Sequence, residues 1–354
     1  MKRSMRNNDV KSVLGEGLDE QVVAFVERNL KGNKINKHNL LVISDANVLK
    51  GLANEGTFDF VVSSAMLNDY LRPNENLSKI HRLLRDHGFF IGSVETNKQY
   101  AKRITTKHKC ITGRIMVSVA FVFKRVMPKL IGFRYLQRHL GIVRHRVLSK
   151  CEALGRLRFS GFEILDLAEI QNRFYFICRK STIPLNGEPC DGLFIKIRKV
   201  GLHGRTINCY KMRTMHSYAN YLHDYILDNL EIDSNGKVVS DFRVPLWGKI
   251  IRKLWLDEMP QLFNILKGDL SFIGLRHLSK EFLDLYPEDW RIERHNIKPG
   301  FVPPYYADCP KTFEEIIESE KKYYRLKRKH PMTTDVYYFV RVVISFLTMK
   351  ARTG

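Results

Sequence analysis

A chain of 354 residues has room for about two domains of ordinary size, and at 44% hydrophobic it can bury a core in each, which excludes global disorder. Its 59 Lys+Arg against 37 Asp+Glu give a formal charge of +22, which calls for an anionic partner: nucleic acid, an anionic membrane face or a phosphorylated substrate. Thirteen of the basic residues, and none of the acidic ones, fall in residues 101–150.

The N-terminus is basic and lacks the apolar stretch of a signal peptide. Residues 39–44 (NLLVIS) and 58–63 (FDFVVS) read as short apolar strands. Residues 76–85 place Leu77, Ile80, Leu83 and Leu84 at helical spacing, His87-Gly88 stops that helix, and residues 89–94 read as a third strand. Such strand–helix–strand order implies a parallel sheet covered by helices. Residues 162–167 and 174–178 read as a closing strand pair. Between the third strand and this pair, residues 102–146 interleave apolar and basic side chains, including Ile115, Val119, Val122, Lys124, Arg125, Lys129 and Arg134. A segment of this kind can lie on an anionic membrane surface, with Pro128 breaking any helix there. A solvated helix pair packed on the first domain is the other reading. No nucleic-acid reading motif is present, and nucleic acid is not the expected partner.

Six cysteines, at 110, 151, 178, 190, 209 and 309, form no CxxC pair or zinc spacing and read as mostly buried free thiols in a reducing compartment. The run STIPLNGEPCD has the chemistry of a linker, placed at residues 181–191. This divides the chain into a Rossmann-like domain over residues 1–180 and a second domain over 192–354.

Three segments of the second domain carry the chemistry. Around Gly201 and Gly204 the chain turns as a hairpin, and its second arm places Lys211 and Arg213 on one strand face, a spacing suited to a diphosphate. Alone, it reads as an ordinary exposed hairpin. Next, Ile250, Ile251, Leu254 and Trp255 form one apolar helical face. Pro260 then belongs in the first turn of a new helix starting near Asp257, with Leu262, Phe263 and Leu266 inward and Gly268 as the stop. This sets Asp257 and Glu258 at a helix N-terminus, as a cap or as functional carboxylates. Finally, a turn and short strand (GDLSFIG) deliver Arg276, and Lys298-Pro-Gly300 makes a turn with a cation before it.

Two resemblances follow from these residues. The stretch FDFVVSSAMLNDYLRPNENLSKIHRLLRDHGFFIGSVE, with SGFEILDLAEIQNRFYFICRK, resembles the later strands of a class I methyltransferase Rossmann fold across about residues 40–180. The glycine-rich cofactor turn of that family is absent, Gly15-Glu16-Gly17 being a poor match, so a degenerate Rossmann scaffold is expected. The second resemblance covers about residues 190–350. Lys211-Met-Arg213-Thr-Met215, Leu256-Asp-Glu-Met-Pro-Gln-Leu262, Gly268-Asp-Leu-Ser-Phe-Ile-Gly-Leu-Arg276 and Lys298-Pro-Gly300 match in order and spacing the blocks of the bacterial sugar transferases, the monotopic phosphoglycosyl transferases. A mixed α+β catalytic domain behind an α/β Rossmann-like one is the implied architecture.

The family resemblance implies transfer of a sugar-1-phosphate from a nucleotide sugar, usually a UDP-sugar, to polyprenyl phosphate. The reaction belongs to the cytoplasmic face of the bacterial inner membrane and to exopolysaccharide assembly. Asp257 matches the nucleophile, and Glu258 its partner carboxylate, with both able to hold Mg2+. Arg252 matches a family arginine, and Lys211, Arg213, Arg276 and Lys298 complete the expected substrate-binding set. Where the family has Pro-Arg-Pro this chain has Leu275-Arg276-His277, and the apolar re-entrant helix that ordinarily precedes the domain is missing. The basic segment around residues 115–136 and the apolar residues 336–347 are the candidates to replace it. A non-catalytic scaffold of a glycan-assembly complex, and a methyltransferase, are the alternative functions.

Overall fold

A computed structural model of the chain describes residues 19–30, 39–45, 55–108, 111–126, 146–181, 190, 192–229 and 241–348. They divide into two units. The first comprises Met1–Gly192 and Met215–Val244, the second Leu193–Thr214 and Pro245–Gly354. Gly15-Glu16-Gly17, Cys110 and the part of the basic segment from residue 127 to 145, with Pro128, Lys129 and Arg134, lie outside the described residues.

In the first unit, β1 (Leu40–Ile43), β2 (Phe58–Ser63), β3 (Leu84–Val94), β4 (Phe162–Ile170) and β5 (Arg173–Lys180) form one sheet in the order β1-β2-β3-β5-β4. The first three pair in parallel, while β5 runs antiparallel to both β3 and β4. The expected parallel sheet is therefore a mixed one. A two-residue hairpin joins β4 and β5 through Gln171 and Asn172, both at positive φ, the backbone that matches strand twist in a primed turn.

Helices cover both faces. On one side α1 (Glu20–Asn29) packs Val22, Phe25 and Val26 against Phe60, Val62, Ile91 and Ile177. On the other, α2 (Pro73–Leu83) and α5 (Lys150–Phe159) bury Leu77, Ile80, Leu154 and Leu157 with Val61 and Phe90. The alternation of Phe60, Val61 and Val62 between the two cores is the period-two pattern of a sheet buried on both faces. Two further helices, α3 (Asn97–Lys107) and α4 (Ile111–Phe121), follow β3, and α4 runs on as a wider π-helical turn over Val122–Val126.

Helix α2 starts earlier and stops earlier than its apolar spacing suggests. Pro73 sits in its first turn, and the strand begins at Leu84. Phe58 pairs with Leu84 and Phe60 with Phe89, so Arg85–Gly88 bulge out, with His87 at φ 63°.

Helix α6 (His223–Asn229) corrects the expected boundary. Sequence reading puts everything after residue 191 in the second domain, yet Met215–Val244 belongs to the first unit. Tyr218, Ala219, Leu222 and Ile226 are buried there. Gly155 lets the strand of backbone at Tyr218 approach, since a Cβ on it would lie 2.4 Å from the Tyr218 carbonyl. Arg156 stacks 4.4 Å from the Tyr218 ring, and Asn74 donates to its hydroxyl at 2.6 Å.

The second unit opens with the antiparallel hairpin of β6 (Phe194–Val200) and β7 (Thr206–Met212). Then come α7 (Leu246–Lys253), α8 (Leu262–Leu266), β8 (Ser271–Ile273), α9 (Lys280–Leu283), α10 (Glu288–Arg294), β9 (Gly300–Val302), α11 (Tyr305–Asp308), α12 (Phe313–Lys329) and α13 (Pro331–Leu347). Its core gathers Ile273, Leu275, Trp290, Tyr323, Tyr338 and Val342. At the centre Arg294 donates to both Glu320 oxygens, at 3.0 and 2.8 Å, and Trp290 Nε1 donates to the same carboxylate at 3.3 Å. Burial raises the Glu320 pKa against the pull of Arg294.

Two of the sequence blocks meet in this unit. β8 and β9 pair in parallel, and the chain closes so tightly that a Cβ on Gly300 would lie 2.1 Å from the Gly274 nitrogen. Glycine in both blocks is thus a packing requirement. Among the described residues no helix is long and apolar enough to cross a membrane.

Candidate active site

The site is built where β7 meets the turn after α7. Met212 N–H donates to the Asp257 carbonyl at 2.8 Å, which fixes the carboxylate-bearing turn to the strand end. Trp255, two residues earlier, takes φ 56° and packs its ring at a tilt against Tyr306 and edge-to-face with Phe346, with centroids 5.0 and 4.6 Å away. A bulky residue in the left-handed region is costly and persists only where its surroundings hold it. Here it reverses the chain after α7 and turns Asp257 inward.

Asp257 is 3% exposed. Lys211 Nζ, coming from β7, lies 2.9 Å from Asp257 Oδ2 and 3.0 Å from Glu258 Oε1. One ammonium thus bridges the two adjacent carboxylates. Of the two readings of Asp257, cap or functional carboxylate, the helix cap is not formed. Glu258 is the residue before the 3-10 turn Met259–Gln261, no side chain caps that turn, and α8 proper begins at Leu262. Pro260 does sit in the first turn.

The inward and outward faces of α8 are also reversed from expectation. Leu262, Phe263 and Leu266 are exposed, Leu266 at 85%, while Gln261 and Asn264 are buried. Asn264 explains this. Its Oδ1 accepts from Tyr210 N–H at 3.0 Å, and its Nδ2 donates to the Asn208 carbonyl at 2.7 Å and to Asp269 Oδ2 at 3.1 Å. The side-chain amide ties the hairpin to α8 from inside, so the apolar stripe of the helix must face away. Ile250 and Leu254 are likewise exposed, and with Leu246, Met259 and Phe263 they give the unit a large apolar surface.

Three further cations belong to the neighbouring elements, of which Arg276 acts on Glu258 and Lys199 on Lys211. Arg252, in the last turn of α7, donates through Nε to Thr214 Oγ1 at 2.7 Å. Thr214 is buried, and a Cβ on Gly248 would sit 2.1 Å from its carbonyl. Arg276 donates from Nη1 to Tyr305 Oη at 3.0 Å, and its carbonyl accepts from Arg294 Nη2 at 3.0 Å. Burial works to lower the Arg276 pKa, but Tyr305, Tyr306 and Glu258 outweigh it and the net shift is upward. Lys199 on β6 has its pKa lowered, chiefly by burial, with Arg276 and Lys211 adding repulsion.

Arg213 lies one residue beyond β7, its N–H donating to the Leu193 carbonyl at 2.7 Å. Lys298 comes from the turn that leads into β9. Its Nζ faces the Gly268 turn, 4.0 Å from where a Cβ on that glycine would be.

Sequence reading missed Gln261, Asn264, Thr214 and Tyr305. Thr214 and Gln261 lie inside matched blocks but at positions without charge, and Asn264 and Tyr305 lie outside every block. His277 replaces a family proline, and its Nε2–H donates to Gln261 Oε1 at 2.8 Å. Burial, with Lys199 and Arg276 nearby, pushes the His277 pKa down to about 4, so the ring is neutral. The tether partly does what a rigid proline would do, joining the Arg276 loop to the turn that carries Glu258.

Among the described residues no group of three or more His, Cys, Asp or Glu side chains gathers as a metal cage. Asp257 and Glu258 offer two carboxylates side by side with an ammonium between them. That donor set suits Mg2+, which takes one or two carboxylates and completes its shell with water and substrate phosphates.

Comparison with known proteins agrees with both halves of this description. Residues 181–348 match the family model described as bacterial sugar transferase, and residues 3–92 match that of a methyltransferase domain. The sugar transferase EpsL of Bacillus subtilis is 42% identical over 111 residues, covering 31% of this chain and 48% of that protein. An undecaprenyl-phosphate galactose phosphotransferase of Salmonella typhimurium is 38% identical over 97 residues, 26% of this chain and 20% of the relative. A UDP-N-acetylgalactosamine-undecaprenyl-phosphate N-acetylgalactosaminephosphotransferase of Aeromonas hydrophila is 32% identical over 158 residues, 42% of this chain and 34% of the relative. The chain thus spans less than half the length of each of these relatives. It joins a methyltransferase-like Rossmann fragment to a bacterial sugar transferase domain.

Proposed function

We propose that the chain transfers a sugar-1-phosphate from a nucleotide sugar, a UDP-sugar by preference, to polyprenyl phosphate at a membrane surface, the cytoplasmic face of the inner membrane. The observation that carries the reading is the buried Asp257 carboxylate, paired with Glu258 by Lys211, with Arg276 in electrostatic reach of Glu258. The names of the relatives, which specify undecaprenyl phosphate as acceptor, support it.

Asp257 attacks the phosphorus that bears the sugar. An oxygen–phosphorus bond forms to the carboxylate, the bond to the nucleotide phosphate breaks, and UMP leaves with that electron pair. The acceptor phosphate oxygen then attacks the acyl phosphate, and the bond to Asp257 breaks to return the carboxylate. No net proton is consumed. A carboxylate nucleophile divides one displacement into two of lower barrier. Two anions must approach each other in the first step, so the cations around the carboxylates act mainly by offsetting charge in a site partly shielded from water. Lys211 is placed to move from the two carboxylates toward the diphosphate as it enters. Arg252 and Arg276 are set by Thr214 and Tyr305 to hold the diphosphate oxygens. Asp257 and Glu258 would hold Mg2+, which when bound supplies further charge neutralisation on phosphate oxygens.

The exposed apolar face of α7, α8 and α13 is consistent with an acceptor carried on a long isoprenoid chain. Acceptor-dependent UMP release from a panel of UDP-sugars, with magnesium and polyprenyl phosphate in detergent, tests the proposal. Release with one donor supports it and names the sugar. No release with any nucleotide sugar from a folded protein refutes it.

A further inference from the structure

The first unit carries an apolar surface of its own. Helices α3 and α4 form an antiparallel hairpin, since Lys124, just past α4, sets its Nζ 5.3 Å from the ring of Tyr100 near the start of α3. The two helices approach closely where they meet: a Cβ on Gly113 would lie 2.3 Å from the His108 carbonyl. The base of the hairpin is anchored. Thr96 and Gln99 form a capping box, Tyr100 is buried, and Arg103 donates to both oxygens of Glu95 at 2.7 and 3.1 Å.

Beyond that anchor the apolar residues face out. Ile111, Ile115, Met116, Val119, Val122 and Phe123 are each between 44% and 71% exposed. Their spacing of three and four makes one continuous stripe. A scattered exposed hydrophobe needs no explanation, but a stripe of six asks for a cover. Helical residues 111–126 span about 24 Å, short of the ~30 Å hydrocarbon core of a bilayer. Residues 97–126 contain eight Lys or Arg and no Asp or Glu, and Lys98, Lys102 and Lys107 on α3 are exposed.

We propose that the α3–α4 hairpin docks the first unit on an anionic lipid surface, with the α4 stripe entering the headgroup–acyl boundary and the hairpin's cations drawn to the lipid phosphates. Charge selects this occupant. A second copy of the hairpin would bring eight cations against eight, whereas an anionic bilayer complements both the stripe and the charge. The inference deepens the reading of a membrane-lipid acceptor, but the binding it predicts does not require turnover.

The test is co-sedimentation of the full chain with vesicles of phosphatidylcholine and phosphatidylglycerol, beside vesicles of phosphatidylcholine alone. Replacing Lys98, Lys102 and Lys107 together by Gln should lower partitioning to the anionic vesicles on the order of a hundredfold. The pair Ile115→Ser and Val119→Ser should lower it at least about tenfold while UMP release in detergent is retained. Unchanged sedimentation of both variants overturns the proposal. So does a parent chain that dimerises in lipid-free buffer and becomes monomeric with the Ser pair, because the stripe then covers a second copy. A parent that binds vesicles through this hairpin but releases no UMP refutes the transferase reading alone.

Discussion

Lys211 is the residue whose removal should reveal most about the site. In Lys211→Met the methionine keeps the length of the stem but loses the ammonium, leaving Asp257 buried beside Glu258 with no bridging cation. Removing one partner from a fully buried ion pair costs about 3–5 kcal/mol. Here the Asp257 side chain is 4% exposed, but those of Lys211 and Glu258 are 28% and 33% exposed, so water screens part of the loss. The expected cost is therefore about 2 kcal/mol. In Asp257→Asn, by contrast, Lys211 keeps Glu258, so that change should cost about 1 kcal/mol or less. The double variant should be more stable than the sum of the two singles implies, by at least about 1 kcal/mol, because the buried charge and its partner leave together. Urea denaturation of the four proteins closes the cycle. A coupling near zero, or a Lys211→Met protein as stable as the parent, would show that the ammonium does not hold these carboxylates.

The remaining predictions concern the supports of the site. Gly248→Ala puts a Cβ 2.1 Å from the Thr214 carbonyl. It should cost about 1–3 kcal/mol and raise the donor KM by disturbing the Thr214–Arg252 contact; an unchanged Tm and KM would contradict the packing described. His277 has its pKa lowered to about 4, so between that value and the ordinary 6.5 the unfolded chain binds a proton that the folded chain does not. Its contribution is fully present above pH 6.5 and is lost as pH falls toward 4. At the bottom of the window the loss reaches about 3 kcal/mol. His277→Gln should remove that slope, measured as the difference in unfolding free energy between neutral and acidic buffer; parallel pH profiles for parent and variant would place the imidazole in water.

Much of the molecule was legible in its sequence, and what was not has a physical cause. The strands at 58–63 and 89–94 show as apolar runs because they are covered on both faces. The carboxylate pair and Arg276 stand out because they lie in blocks that match a family in order and spacing, and Arg252 because it comes five residues before Asp257. Periodicity also found the amphipathic character of the segment after Pro260, but it could not say which face points inward. Asn264 decides that through three hydrogen bonds to distant backbone and Asp269, and such partners are invisible along the chain. The return of Met215–Val244 to the first unit was hidden for the same reason. It depends on Gly155 and Arg156 meeting Tyr218, residues about sixty positions apart. Lys211 was read as a diphosphate ligand; its bridge to both carboxylates required the fold.

The central claim is that Asp257 carries the sugar phosphate. Intact-protein mass spectrometry after rapid mixing with the nucleotide sugar, without acceptor, tests it most directly. The account predicts an added sugar-phosphate mass that localises to the peptide bearing Asp257, is discharged by hydroxylamine or by polyprenyl phosphate, and is missing from Asp257→Asn, which also releases no UMP. An Asp257→Asn protein that retains full turnover, or an adduct on another residue, would contradict it.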